Sequence, residues 1–124
     1  MDDRIQTVFN HFAGEDVAIA GSAVRDVETA HDIDVLVPST VDLPALATKH
    51  GATYNGWDTP DGLHIRRANL RVPGLRRNVQ LIQRRDVARF EDWPHAVLLR
   101  DGRVLNEGRF YDKPKPKARR RPLR

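Results

Sequence analysis

Two short apolar runs joined by a polar segment constrain the fold of this chain more than any other feature. The first run, residues 17–20, stops at Gly21 and Ser22, and the second, residues 33–37, follows Asp32. A short apolar run bounded by turn residues is typical of a buried β-strand. The sequence therefore predicts a strand–turn–strand unit, with a tight turn directly after the first strand.

The rest of the chain shows helical patterns first and strand patterns later. Apolar residues at helical spacing predict a helix over residues 3–13, and Pro44 and Gly51 mark the ends of a second one. The later part predicts further strands, one of them at residues 79–82, and a hairpin at residues 96–105 around an Asp-Gly turn. We therefore expect an α+β protein whose mixed β-sheet has flanking helices and a C-terminal hairpin.

Length and composition exclude several classes of protein. The chain has 124 residues, which suits one compact domain. It has no cysteine, so disulfide scaffolds, thiolate zinc sites and cysteine catalysis are excluded. No apolar run is long enough for a transmembrane helix, and the acidic, amphipathic start does not fit a secretory signal. We expect a cytoplasmic protein with no membrane partner.

The positive charge is concentrated at one end of the chain. Residues 112–124 contain seven Lys or Arg and one Asp, which leaves 14 basic and 16 acidic side chains in residues 1–111. A segment rich in Lys, Pro and Arg cannot build a core, so we expect a folded domain over residues 1–111 and a disordered tail over 112–124. Residues 113–124 are the part of the chain expected to contact a nucleic-acid partner.

Residues at the end of the first predicted strand and at the start of the second have metal- and phosphate-binding chemistry. Asp32 and Asp34 are two positions apart on a strand, so their carboxylates project from the same face. Two adjacent carboxylates repel each other, and a hard divalent cation such as Mg²⁺ or Mn²⁺ relieves that repulsion. Gly21 and Ser22 offer backbone N–H groups and a hydroxyl to a phosphate. The combination indicates phosphoryl or nucleotidyl transfer.

Gly21-Ser22, nine residues and then Asp32-Ile33-Asp34 resemble the signature of the DNA polymerase beta-type nucleotidyltransferase superfamily. With Arg25, Asp26 and His31 included, the sequence motif most closely resembles that of the CCA-adding tRNA nucleotidyltransferase branch and its small stand-alone relatives. The resemblance is specific over about residues 16–38. It implies a minimal nucleotidyltransferase fold and Mg²⁺-dependent attack of an acceptor hydroxyl on the α-phosphate of a nucleoside triphosphate (NTP). The acceptor would be RNA, a protein side chain or a small molecule.

The resemblance also implies a role for each matching residue. Gly21 and Ser22 would hold triphosphate oxygens, and Asp32 and Asp34 would bind the metal. The last matching pair, Arg25 and Asp26, would shape the nucleotide site.

The chain departs from the family pattern at the third carboxylate. The family takes this group from a later strand, and the matching position here is Gln80, which cannot act as a base at neutral pH. Asp92 follows in a Phe-Glu-Asp segment, and we name it as the candidate third catalytic carboxylate beside Asp32 and Asp34.

Other interpretations of the same residues stay open. The two aspartates could be surface acids, Arg25 and Asp26 a surface ion pair, and Trp93 and His95 packing residues. A basic stretch that includes Arg67, Arg71 and Arg77 could be an exposed strand face or a groove for phosphates.

Two rival functions also remain open. The first is a catalytically inactive module that binds nucleotide or nucleic acid, and the second is a packaging protein that acts through its tail. Because the chain is short for a self-contained transferase, an oligomer or a separate partner subunit is plausible.

Overall fold

The computed structural model describes residues 1–58 and 65–112. Of the predicted tail, residues 112–124, only Asp112 belongs to the described part, at the end of the last strand, and residues 113–124 lie outside the described residues. Two α-helices are present, α1 (Asp3–His11) and α2 (Leu43–His50), with single 3₁₀ turns at Gly21–Val24 and Phe90–Asp92. The strands are β1 (Ala18–Ala20), β2 (Asp32–Leu36), β3 (Thr53–Asp58), β4 (Ile65–Arg71), β5 (Asn78–Arg84), β6 (Val97–Leu98), β7 (Arg103–Asn106) and β8 (Arg109–Asp112).

The eight strands form one mixed sheet in the order β3-β4-β5-β2-β1-β6-β7-β8. Strands β2 and β5 run parallel, and every other neighbouring pair is antiparallel. This order places β2, which carries the two aspartates, near the middle of the sheet. Asp34 of β2 is the direct partner of Gln80 on one side and of Ala20 on the other.

The expected minimal nucleotidyltransferase fold with flanking helices is wrong. In the described part of the chain an eight-stranded sheet dominates, and the α-helices are only 9 and 8 residues long. The segment after Gly21 forms a single 3₁₀ turn, since the β-branched Val24, Val27 and Thr29 disfavour a longer helix and nucleating a short helix is costly. Residues 53–58 and 109–112, for which no strand was predicted, become the two edge strands.

Local capping explains where the two helices begin and end. The Asp2 side chain accepts a hydrogen bond from the backbone N–H of Arg4 at the start of α1. The Asp42 side chain does the same for Ala45 at the start of α2 (3.0 Å), and Gly51 ends that helix with a left-handed conformation. Within residues 1–58 and 65–112, no helix is both long enough and apolar enough to cross a bilayer.

The two faces of the sheet are covered differently. The larger apolar cluster packs α1 and α2 against one face, where Ile33, Val35 and Leu81 are fully buried. A smaller cluster that includes Leu36 and Val97 covers only part of the opposite face. Asp32 and Asp34 alternate with Ile33 and Val35 along β2, so they lie on this second, partly open face, which we call the site face.

Candidate metal and phosphate site

The two aspartates share the site face, as their spacing predicts. Asp32 is exposed, Asp34 is half-buried, and Ile33 between them is fully buried on the other side of β2. The buried position of Ile33 fixes the register of the strand, because a slip by one residue would exchange the aspartates with the core. Packing in the core therefore holds both carboxylates on the open face.

Gly21 lies directly against Asp34. It follows β1 with a φ of +71°, a conformation that favours glycine. A Cβ atom at this position would overlap the Asp34 carboxylate, whose Cγ would be 3.3 Å away. The absence of a side chain thus leaves the space that the carboxylate occupies.

Burial and charge both act on Asp34. Burial, together with the negative charge of Asp32, raises the pKa of its carboxyl to about 6, and the positive charge of Arg67 opposes the rise. Ionised Asp34 is therefore held at an energetic cost in the metal-free protein. A bound cation would remove that cost, which is the behaviour expected of a metal ligand.

Amide side chains continue the site face on the neighbouring strands. Gln80 of β5 is paired with Asp34, and Asn69 of β4 is paired with Gln80. The Oδ1 atom of Asn69 accepts hydrogen bonds from Gln80 Nε2 (3.2 Å) and Asn78 Nδ2 (3.1 Å). The position expected to supply a third carboxylate therefore lies beside Asp34 and carries an amide.

Sequence reasoning missed Asn69 and Asn78 as parts of this surface. A signal was present, because polar and apolar residues alternate over residues 67–71 of β4 and 78–81 of β5. Ala68, Leu70 and Val79 are buried while the residues between them are half-buried and polar. Two such strands in an antiparallel pair predict one polar face, although their register relative to β2 cannot be derived from local pattern.

Arg77, part of the basic stretch in the sequence, anchors the loop before Asp32. Its guanidinium donates to the backbone carbonyl of Ala30 from Nε (2.7 Å) and to that of Glu28 from NH2 (2.8 Å). These bonds fix the segment that leads into β2, so we assign Arg77 to positioning the aspartates rather than to a phosphate groove.

A cavity of about 280 Å³ lies at the end of β1. Its walls come from two distant segments of the chain. One wall follows β1 and the other precedes β6, and together the lining residues are Gly21, Ser22, Val24, Arg25, Trp93, His95 and Ala96. Gly21 lies in the cavity wall and also contacts Asp34, so it joins the cavity to the carboxylate pair.

The remaining predicted site residues have local partners. The Asp26 side chain accepts from the backbone N–H of Glu28 (2.9 Å) in the exposed loop. The Asp92 side chain accepts from the backbone N–H of Arg89 (3.0 Å) and caps a 3₁₀ turn. Across the described residues, no three His, Cys, Asp or Glu side chains form a group that could hold a metal ion. A catalytic role for Asp92 stays a prediction.

The donor set of the carboxylate pair fits Mg²⁺ or Mn²⁺ bound together with a phosphate. Mg²⁺ in proteins is commonly held by one or two carboxylates, with substrate phosphates and water completing its shell. Asp32 and Asp34 supply the two carboxylates, and the half-buried amide of Gln80 is adjacent to them. A protein cage with three carboxylates is not needed for this mode of binding.

No protein-family model, curated protein or solved structure matches this chain. Nothing in these comparisons indicates the nucleotidyltransferase superfamily, so the assignment stays a prediction from the residues.

Proposed function

We propose that this protein binds a nucleoside triphosphate with Mg²⁺ or Mn²⁺ and transfers its nucleoside monophosphate to a hydroxyl, which loses its proton as pyrophosphate is released. The observation that carries the proposal is the position of Gly21, which touches the Asp34 carboxylate and also forms part of the cavity wall. A metal at Asp32 and Asp34 would therefore be adjacent to phosphates bound at Gly21 and Ser22. The proposal depends on these site residues and not on similarity of the fold to any known protein.

The chain's own residues would act by binding and orientation. Asp32 and Asp34 would hold the metal, which when bound neutralises phosphate charge. Gly21 allows phosphate oxygens to approach the backbone closely, and the exposed Ser22 hydroxyl can donate to one of them. The guanidinium of Arg25, which lines the cavity, would attract the triphosphate. Asp26 would act on the nucleotide site through the loop that it stabilises.

A second candidate function is binding without turnover. The observation that favours it is Gln80, the direct partner of Asp34, because an amide cannot accept a proton from an attacking hydroxyl. Under this alternative the site holds metal and triphosphate and performs no transfer. Under the leading proposal another carboxylate must supply the base, and Asp92 is the residue that the sequence offers.

We propose that a nucleic-acid acceptor approaches along β7 and β8. Phe110 is 53% exposed, and the Arg103 guanidinium lies 4.3 Å from its ring centroid. Aromatic and arginine side chains of this kind stack on unpaired bases. The sequence that follows β8 adds seven Lys or Arg in residues 113–124, which would neutralise phosphates. A cytoplasmic location and an oligomer or partner subunit remain part of the proposal.

Incubation with each α-labelled triphosphate, Mg²⁺ and single-stranded RNA tests the proposal. The leading function predicts label transfer by the wild type and none by Asp34→Asn. Binding of triphosphate without transfer supports the second candidate. Absence of Mg²⁺-dependent binding contradicts both. Deletion of residues 113–124 should weaken RNA binding and reduce its salt dependence while triphosphate binding persists.

A further inference from the structure

The two walls of the cavity beside Asp34 differ in chemistry. Gly21, Ser22 and Arg25 form a wall of backbone, hydroxyl and guanidinium groups, which suits phosphate. Trp93 and His95 contribute two aromatic rings to the opposite wall. Their centroids are 6.1 Å apart and their planes are inclined by 75°. The cavity is therefore lined by one polar segment, in which Gly21 contacts Asp34, and by a second segment that carries two aromatic residues.

The indole of Trp93 is held in place by its surroundings. It packs against the smaller apolar cluster of the site face. The guanidinium carbon of Arg84, on β5, lies 5.5 Å from the centroid of the indole ring. These contacts immobilise the ring before any ligand arrives, so little conformational entropy is lost when a planar group stacks on it.

We propose that the nucleobase of the triphosphate stacks on the indole of Trp93, with the inclined His95 ring as a second contact. This inference rests on the proposed function and names the part of the same site that receives the base. A cavity of about 280 Å³ is just below the usual range of ligand pockets, so it would hold the base and the adjoining part of the ligand rather than a whole nucleoside triphosphate. Because every base has a π-face, stacking contributes affinity without strong base selection.

Comparison of a nucleoside triphosphate with inorganic tripolyphosphate tests this assignment, because only the first ligand carries a base. Binding of ATP and of tripolyphosphate, each with Mg²⁺, is measured by titration calorimetry for wild type, Trp93→Leu and His95→Ala. Tyr54→Leu removes an exposed aromatic ring from β3 and is the matched control. In a Trp57→Phe background Trp93 is the only tryptophan, so quenching of fluorescence reports stacking directly.

The expected result is a loss of ATP affinity of about tenfold to a hundredfold in Trp93→Leu, with tripolyphosphate affinity unchanged. ATP should quench Trp93 fluorescence and tripolyphosphate should not. If Trp93→Leu fails to fold, His95→Ala decides, since His95 is exposed and should show the same selective loss. Equal effects on both ligands, or none on either, overturn the base-binding role. Failure of the wild type to bind either ligand overturns the proposed function, and this inference with it.

Discussion

The α-carbon of Gly21 and the carboxylate of Asp34 are so close that no side chain fits between them. This contact joins the end of β1 to the middle of β2 across an antiparallel pair in which Ala20 is the partner of Asp34. It determines where the carboxylate points and leaves backbone exposed at the cavity wall. The Gly21–Asp34 contact is thus the structural basis for a metal next to a phosphate site.

Gly21→Ala should impair ligand binding more than stability. Its φ of +71° is unfavourable for alanine, and the Asp34 carboxylate must rotate away from the new methyl group. Gly51→Ala is the matched control, because Gly51 has the same φ and no atom near its Cβ position. Each variant should lose about 1–2 kcal/mol of unfolding free energy, measured by urea denaturation. Only Gly21→Ala should lose Mg²⁺-dependent triphosphate binding, and equal binding by the two variants would contradict the contact's role.

Asp34→Asn should stabilise the metal-free protein in a pH-dependent way. The folded-state pKa of Asp34, about 6, is above its ordinary value of 3.8, so the native state keeps a proton that the unfolded state has released between these pH values. Wild-type stability therefore falls as pH rises from about 4 to about 6 through this group. The variant lacks that loss, so its melting temperature should exceed the wild type's at pH 8 and approach it below pH 4.

Asp32→Asn is the control for this prediction. It removes the charge that faces Asp34 and leaves the burial of Asp34 in place, so its stabilisation at pH 8 should be the smaller of the two. A melting-temperature difference between Asp34→Asn and wild type that is constant from pH 4 to 8 would contradict the assignment of a raised pKa.

Arg77→Ala should destabilise the loop that leads into β2. The substitution leaves the carbonyls of Glu28 and Ala30 without two charge-assisted hydrogen bonds, and the expected cost is about 2–3 kcal/mol. Arg76→Ala, at the exposed neighbouring position, should change stability by less than about 0.5 kcal/mol. Chemical denaturation compares the two, and equal stabilities would show that Arg77 does not anchor the loop.

Gln80→Glu should increase the response to Mg²⁺. A glutamate beside Asp34 adds a third negative charge to the pair, which lowers the melting temperature of the metal-free protein at pH 8. Mg²⁺ should raise the melting temperature more in this variant than in wild type, because tighter binding stabilises the native state. Gln6→Glu, on the exposed surface of α1, should leave the Mg²⁺ response unchanged. Equal responses in wild type and Gln80→Glu would place Gln80 away from the metal.

Local sequence pattern predicted the elements that are defined by their own residues. Helix α1, helix α2 and strands β1, β2 and β5 all lie where apolar spacing and capping residues placed them. Strands β3 and β8 were missed because each contains little alternation and each lies at an edge. Phe110 and Tyr111 of β8 are both exposed, so no buried face marks that strand in the sequence.

Only those features of the site that depend on a single short segment of the chain could be predicted from the sequence. The spacing of Asp32 and Asp34 predicts a shared face. The Gly-Ser pair that ends the first apolar run predicts the turn at Gly21. The pairing of Asp34 with Gln80, and the presence of Ser22 and Trp93 in the lining of one cavity, depend on contacts between segments far apart in the chain. Such contacts are set by the registry of the whole sheet, which no local pattern contains.

Mn²⁺ binding measured by electron paramagnetic resonance tests the central claim that Asp32 and Asp34 form a metal site. Free Mn²⁺ is titrated at pH 8 into wild type, Asp32→Asn and Asp34→Asn, with Asp42→Asn, at the cap of α2, as the control. If Asp32 and Asp34 form a metal site, wild type and Asp42→Asn bind Mn²⁺. Each site variant then binds Mn²⁺ at least about tenfold more weakly, because it has lost one of two carboxylate ligands. Equal Mn²⁺ affinity in all four proteins would contradict this claim.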